Sequence, residues 1–362
     1  SQNLQSKSMI KYYTRACNFF YGSQAKKIIK NRTGLPLCGN NKIAFTSLEI
    51  FSRKKKFIKS KYINVKDIKS LKKKEKEKIK LDIKKITSKR KNFLKYINFS
   101  KPTVMGILNL TPDSFSDGGK FNSKVKSFKH ISQMIKSGAM IIDIGGESTR
   151  PGSKDISLSN ELKRIKKVLK SFKKKYKKIC LSLDTRKSQI MKYGLNFGVD
   201  LINDVSGFSY DQNSFEFIKK NNVPKVLHHM KGTPNTMQIN PNYENVLLDI
   251  YDFFEKNIEN KFSDRKIILD PGIGFGKTLK HNLTLISKVS LFHSLGLPIM
   301  IGTSRKRFIN QIVEDYDSKE RIGGTMASVL HLLSQGVQIF RVHNVLEIKQ
   351  GILVFNKILF EK

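Results

Sequence analysis

From Pro102 onward, short apolar runs alternate with longer segments in which apolar positions recur every three or four residues. The short runs Thr103–Leu108, Met140–Ile144, Ile179–Leu183, Asp200–Asn203, Lys225–His229, Lys266–Leu269, Pro298–Ile301 and Gln338–Val342 read as buried strands. Helical spacing fills 124–137, 159–176, 187–197, 212–221, 243–261, 282–294, 320–335 and 345–359. Strands separated by helices pair in parallel. Eight such units in roughly 260 residues fit a closed (β/α)8, or TIM, barrel better than an open doubly wound sheet.

Before residue 100 the pattern differs. Val65, Ile68, Leu71, Ile79, Ile83 and Ile86 fall near helical spacing among lysines, which predicts a basic, weakly amphipathic helix over 65–90. Residues 1–48 contain no Asp or Glu and no apolar core of secretory type, so their composition is that of an organellar transit peptide. The expected organisation is α/β throughout the second part. A Lys-rich, partly helical or disordered extension at 1–100, of transit or linker type, precedes a barrel domain at 101–362. The expected location is the cytoplasm, with a mitochondrion or plastid as the alternative.

The formal net charge is +40. Residues 1–100 hold 28 Lys and Arg against 5 acids, and the remainder 41 against 24. Such a field favours anionic partners, but lysines also punctuate the barrel helices, where they face water. Nothing in 1–100 has the form of a helix-turn-helix, zinc or RNA-binding motif, so nucleic acid is not an expected partner. No apolar run approaches the roughly 18 residues of a membrane span. Cys17, Cys38 and Cys180 are too scattered for a disulfide framework or a zinc site, and Cys180 reads as a small core residue.

In a barrel of this kind the active site lies at the C-terminal ends of the strands, and here those ends are polar. The first strand runs into Asn109 and a Gly/Pro-punctuated polar loop to Gly119, and the second passes Asp143 and enters Glu147–Gly152. The third ends at Asp184 with Thr185 and Arg186, the fourth at Asn203-Asp204, the fifth at His229-Met230, and the sixth at Asp270 before Pro271–Lys277. Ser304-Arg305-Lys306-Arg307 follows the seventh, and Arg341 and His343 close the eighth. One polar strand end is a helix cap; six or more on one face make an enzyme's site. Asp184, Asn203 and Asp270 suit the amino-pyrimidine edge of a planar heterocycle, because a carboxylate accepts two parallel N–H bonds and an amide both donates and accepts. Asn109, Thr149, Arg150, Arg341 and His343 suit an anion, and a Mg²⁺ ion held by Asn109 would neutralise a leaving diphosphate. Glycines 272, 274 and 276 do not make a dinucleotide site, since they follow a sixth strand and not the first strand of a Rossmann unit.

Residues 102–360 resemble the dihydropteroate synthase family. The resemblance rests on Met105–Asn109 with Thr111–Gly119, Asp143–Gly152 (DIGGESTRPG), Asp184-Thr185, Ile202–Asp204, Met230–Pro234, Asp270–Lys277 (DPGIGFGK), Ser304–Phe308 (SRKRF) and Arg341–His343. It implies a transferase of folate biosynthesis that condenses p-aminobenzoate with 6-hydroxymethyl-7,8-dihydropterin diphosphate, with Mg²⁺, in a homodimer formed through barrel helices. By motif position, Asp184, Asn203, Asp270 and Lys306 would hold the pterin, with Met230 and Phe275 packed on its ring. Asn109, Arg341 and His343 would take the diphosphate, with Thr149 and Arg150 closing over it. Asp117 would stabilise the pterin cation left by diphosphate departure, and Phe115, Pro151 and Arg307 would line the p-aminobenzoate pocket. The family is a sulfonamide target; Arg307 stands where bacterial relatives often carry Ser. Methyltransferase domains that share the pterin-binding barrel should lack both the Thr111–Gly119 loop and the Ser304–Phe308 motif. The first 100 residues are too short and too Lys-rich for the pterin pyrophosphokinase domain that many relatives carry upstream.

Overall fold

A computed structural model of the chain describes residues 9–112, 122–314 and 320–361. The chain divides into two units, one of them built from the residues up to Arg90 with Lys288–Gly296 and the segment from Asn356 onward. Its elements are β1 (Lys11–Tyr21), α1 (Gly22–Lys30), β2 (Leu35–Leu37), β3 (Asn40–Lys54), β4 (Phe57–Asn64), a 3-10 turn Val65–Ser70 and α2 (Lys73–Thr87). The long β3 pairs antiparallel with β1, β2 and β4. Ala16, Phe45, Leu48 and Ile50 bury themselves against Ile79 and Ile86 of α2, and Phe360 packs on the same core.

The expected helix at 65–90 is present as the 3-10 turn and α2; the antiparallel sheet was not anticipated. β1 explains why, because its burial does not alternate and Asn18 at φ 56° interrupts its pleat. Acids are scarce here but are used inside. Buried Glu49 accepts from Arg15 at 2.6 Å and Lys288 at 3.1 Å, and buried Asp82 accepts from Thr14 at 2.7 Å and Lys78 at 2.5 Å. The unit therefore ends near Arg90 and reclaims 288–296, whose Ser290 donates to the carbonyl of Ala16 at 3.0 Å and whose His293 carbonyl accepts from Arg90.

The second unit, Lys91–Ser287 with Leu297–Phe355, is the barrel. Its strands are β5 (Thr103–Asn109), β6 (Ile141–Gly145), β7 (Cys180–Asp184), β8 (Leu201–Asp204), β9 (Lys225–His228), β10 (Ile267–Asp270), β11 (Met300–Ile301) and β12 (Ile339–Val342). They pair in parallel in the order β10-β9-β8-β7-β6-β5-β12-β11, and a parallel bridge from Leu269 to Ile299 closes the ring. Around it run α3 (Asn122–Lys136), α4 (Leu158–Lys175), α5 (Ser188–Asn196), α6 (Gln212–Asn221), α7 (Val246–Asn260), α8 (Leu279–Ser287), α9 (Arg307–Val313), α10 (Ile322–Ser334) and α11 (Val345–Phe360). The helix expected over 282–294 is α8 followed by a 3-10 helix, Val289–Leu295, buried on every side. A wholly buried segment has no periodicity by which to tell the two apart.

Side chains alternate inward and outward along each strand. The inward residues of the lowest layer are Met105, Ile141, Cys180, Leu201, Val226, Ile268, Met300 and Ile339, plugged from below by Leu94, Ile97 and Phe99. Two residues further along, six of the eight strands turn Asp143, Ser182, Asn203, His228, Asp270 and Arg341 inward, while the other two present Ile107 and Gly302. One apolar layer thus carries a polar one, and that switch makes the floor of a site.

Candidate active site

Asp143 is the centre of the polar layer and is fully buried. Its Oδ1 accepts from Ser182 Oγ at 2.7 Å, while its Oδ2 accepts from Asn203 Nδ2 at 3.0 Å and Arg341 Nε at 2.7 Å. The NH2 group on the same edge of the Arg341 guanidinium donates to Asp184 Oδ2 at 3.2 Å. Asn109, Gly145, Asp184 and Asn203 are successive register partners across β5 to β8. Burial and then the Asp143 charge hold the Asp184 carboxyl well above the usual carboxylate range, against the pull of Arg341. Asn203 Oδ1 is buried without a partner, and a buried acceptor left unpaired costs about 1–3 kcal/mol. An N–H donor brought by a ligand would satisfy it. Asp204 is also buried, with Oδ1 accepting from Ser206 and Oδ2 unpaired; burial raises its pKa to about 6.

The wall opposite is the loop after β10. Asp270 Oδ1 accepts the backbone N–H of Gly272 at 2.8 Å. This loop is pressed on the end of β9. A Cβ on Gly272 (φ +72°) would stand 1.9 Å from the carbonyl oxygen of His229, and one on Gly276 (φ +68°) would stand 2.4 Å from that of Lys231. Buried Lys277 completes the attachment, its Nζ lying 3.0 Å from His229 Nδ1 and donating to the carbonyl of Phe275 at 2.8 Å. Phe275 stands edge-on to the His228 ring at 4.6 Å. Burial keeps His228, at about 4, and His229 and Lys277 well below their ordinary pKa values, so both imidazoles are neutral near pH 7. Lys306 donates to the carbonyl of Ile273 and lies 4.8 Å from the Phe275 ring centroid. Burial lowers its pKa to about 8, opposed by Asp270.

At the rim, His343 and Ser304 lock each other. The His343 N–H donates to Ser304 Oγ at 3.1 Å, and that hydroxyl lies 2.8 Å from His343 Nδ1. If the hydroxyl donates to Nδ1, the proton of the neutral ring is on Nε2 and is available to an anion. Burial, with the Arg305 and Arg341 charges, lowers the His343 pKa to about 3. His343 therefore meets an anion as a neutral donor.

The structure brings together Asp184, Asn203, Asp270, Lys306, Phe275, Arg341 and His343. Half-buried Asn109 ends β5, and half-buried Met230 follows β9. Thr149, Arg150 and Pro151 lie on the loop after β6, with Arg150 and Pro151 exposed, and Arg307 is exposed at the start of α9. Phe115 and Asp117 lie outside the described residues. Sequence reasoning gave no role to Asp143, Ser182 or Lys277. The signal for the first two was a lone polar residue at an inward position of an apolar strand. Thr185 accepts the N–H of Lys187 at 3.2 Å just ahead of α5.

A closed parallel barrel with a polar floor, paired carboxylates and a cationic rim defines the site of a small-molecule enzyme. The family model described as "Pterin binding enzyme" matches residues 105–343. The dihydropteroate synthase of Escherichia coli K12 is 38% identical over 270 residues, covering 74% of this chain and 95% of that protein. That of Bacillus subtilis is 41% identical over 248 residues, covering 68% and 85%. Among solved structures, Yersinia pestis dihydropteroate synthase with a sulfonamide drug superposes with a TM-score of 0.68 at 38% identity, over 72% of this chain and 96% of that one. The Xanthomonas albilineans enzyme in complex with 7,8-dihydropteroate gives 0.65 at 29% identity, over 72% and 95%. This chain belongs to the dihydropteroate synthase family. The family match starts inside β5 and leaves the N-terminal sheet outside it.

Proposed function

We propose that the barrel joins the amine of p-aminobenzoate to the exocyclic methylene carbon of 6-hydroxymethyl-7,8-dihydropterin diphosphate. The C–O bond to diphosphate breaks, the C–N bond forms, and the amine proton is lost to give 7,8-dihydropteroate. The observation that carries this reading is the unpaired Asn203 Oδ1 beside Asp184, in the polar layer that also holds Asp270 two strands away. It supports recognition of a ring edge that offers several N–H donors at once. Asp184 and Asp270 accept from that edge, Lys306 donates to ring acceptors, and Phe275 and Met230 cover its face.

Arg341 spends its Nε–NH2 edge on Asp143 and Asp184, so its NH1 edge serves the leaving diphosphate together with His343 Nε2, Thr149 and Arg150. Mg²⁺ fits as an ion carried by the diphosphate. Such an ion keeps several waters and takes one or two protein oxygens, which the Asn109 amide can supply. Among the described residues no cluster of three His, Cys, Asp or Glu exists to hold a resident ion. When bound, the ion would neutralise charge on the leaving group. Catalysis is then positional and electrostatic, since a neutral arylamine needs no covalent relay.

A homodimer is supported by the exposed apolar stripe of Leu346, Leu353 and Val354 on α11. No helix among the described residues is long and apolar enough to cross a membrane.

The test is diphosphate release by purified protein given the pterin diphosphate, Mg²⁺ and p-aminobenzoate. Turnover that disappears in both Asp184→Ala and Lys306→Ala is expected. Absence of turnover by folded wild-type protein refutes the assignment.

A further inference from the structure

The loop from β6 to α4 carries Thr149, Arg150 and Pro151, and both its feet meet on one side chain. Glu147, at the first foot, is buried; its Oε1 accepts the N–H of Ile156 at 3.1 Å. Its Oε2 accepts Arg186 NH2 at 3.1 Å and Nε at 3.3 Å. Asp155, at the second foot, accepts the same NH2 at 3.1 Å. The guanidinium is 2% exposed and lies 4.0 Å from the centroid of the Tyr210 ring in the loop after β8. A planar fork on an aromatic face bridging two carboxylates is an arrangement that an ammonium cannot reproduce. Beyond these feet the loop is tied mainly to itself, by Ser153 Oγ to the carbonyl of Ser148 at 2.7 Å, and to the loop after β9, by the N–H of Gly152 to the carbonyl of Pro234 at 2.9 Å.

We propose that Arg186 is a positioning residue that cinches the 147–155 loop and thereby sets Thr149 and Arg150 against the diphosphate side of the site. The direction of that loop is visible electrostatically: the Arg150 charge reaches Arg305 and His343, on the loops after β11 and β12. Arg186 touches no reacting atom; it acts through the loop. The inference rests on the proposed reaction for its substrate and on the geometry alone for the latch.

Two variants test it. Arg186→Gln removes the bridge but leaves Glu147 a counter-ion in Lys187, whose Nζ lies 3.2 Å away. Asp155→Asn cuts only the second, half-exposed foot. Both should speed backbone hydrogen exchange across 148–154. Both should raise the KM for the pterin diphosphate, by about tenfold for Arg186→Gln, the scale of one lost charge-assisted hydrogen bond. Binding of the diphosphate-free 6-hydroxymethyl-7,8-dihydropterin should not change, because the floor that holds the ring is untouched. Unaltered exchange in both variants, or an equal loss for the two pterins, overturns the latch. Wild-type turnover is measured alongside: if it is absent, the reaction is wrong, while the exchange data still decide for or against Arg186.

Discussion

Asp143→Asn is the substitution that most directly probes the floor of the site. The carboxylates of Asp143 and Asp184 share the single positive charge of Arg341. Groups bound to one guanidinium lie on the order of 5 Å apart, and two negative charges at that separation repel by roughly 3 kcal/mol at an effective dielectric near 20, about two pH units. Burial is the larger cause of the raised Asp184 pKa and stays in the variant; the repulsion goes, and Arg341 is left to Asp184 alone. The sign follows. The ionised form of Asp184, which in the proposed reaction accepts the pterin N–H groups, is lost as pH falls through its raised pKa, and the variant lowers that pKa. The acid limb of kcat/KM for the pterin diphosphate should therefore move to lower pH by about one to two units. The hydrogen bonds largely survive, because the new amide can donate to Ser182 and still accept from Arg341 and Asn203. Asp143→Ala, by contrast, strands three donors and should cost about 3–5 kcal/mol in stability. The assay is kcat/KM from pH 5 to 9, with pterin binding followed over the same range. An acid limb that stays put or moves upward in Asp143→Asn refutes the shared-charge argument.

Lys306 should give the opposite limb: its ammonium is lost as pH rises through about 8, so kcat/KM should fall there. Lys306→Arg should push that fall out of range, and a limb unchanged in Lys306→Arg would assign it elsewhere. Buried Asp204 ionises near 6 instead of its unfolded value of 3.8. Its contribution to stability is therefore present below pH 3.8 and lost as pH rises through about 6. Asp204→Asn should gain up to about 3 kcal/mol on wild type between pH 4 and 7 in denaturant titrations; a flat difference contradicts the burial argument. Gly272→Ala must either move the carbonyl of His229 or distort the Asp270 loop. Its cost should be about 3 kcal/mol or more by thermal unfolding, and a loss under about 1 kcal/mol would mean the loop yields freely.

The barrel was legible because parallel strands buried on both faces read as short apolar runs, and because their C-terminal ends are polar. Asp184, Asn203 and Asp270 could be picked out there. Asp143 and Ser182 could not be given roles, since what they do depends on which strands close the ring: the Arg341 that binds Asp143 comes from the last strand. His228 and His229 are both buried, one turned towards Asp270 and the other towards Lys277. The N-terminal sheet escaped notice for a different reason. Its strands bury both faces unevenly, and a composition without acids up to Glu49 resembles a targeting segment more than a fold. What marks it as folded is where its few acids go. Glu49 sits inside between Arg15 and Lys288, and Asp82 inside against Lys78 and the Thr14 hydroxyl, a placement that one-dimensional charge counting cannot see.

The site divides into a fixed half and an adjustable half, and the residues explain the division. The ring-binding half is built on strand ends and on a loop held to β9 by two glycines and Lys277, so its acceptors are placed before any ligand arrives. Its cost is visible in Asn203 Oδ1 and in the raised Asp184 pKa, both of which a ligand with N–H donors relieves. The anion half depends on exposed Arg150 and on rim residues whose ties run through loops. A leaving group that must depart after each turnover is better held by such a loop than by the floor, because tight, permanent complementarity to diphosphate would slow its release. Arg186 lies at the junction of the two halves, anchored on the strand β7 that also supplies Asp184, two residues away. A change at Arg186 should therefore separate diphosphate recognition from ring recognition, whereas a change at Asp143 should alter both through Arg341.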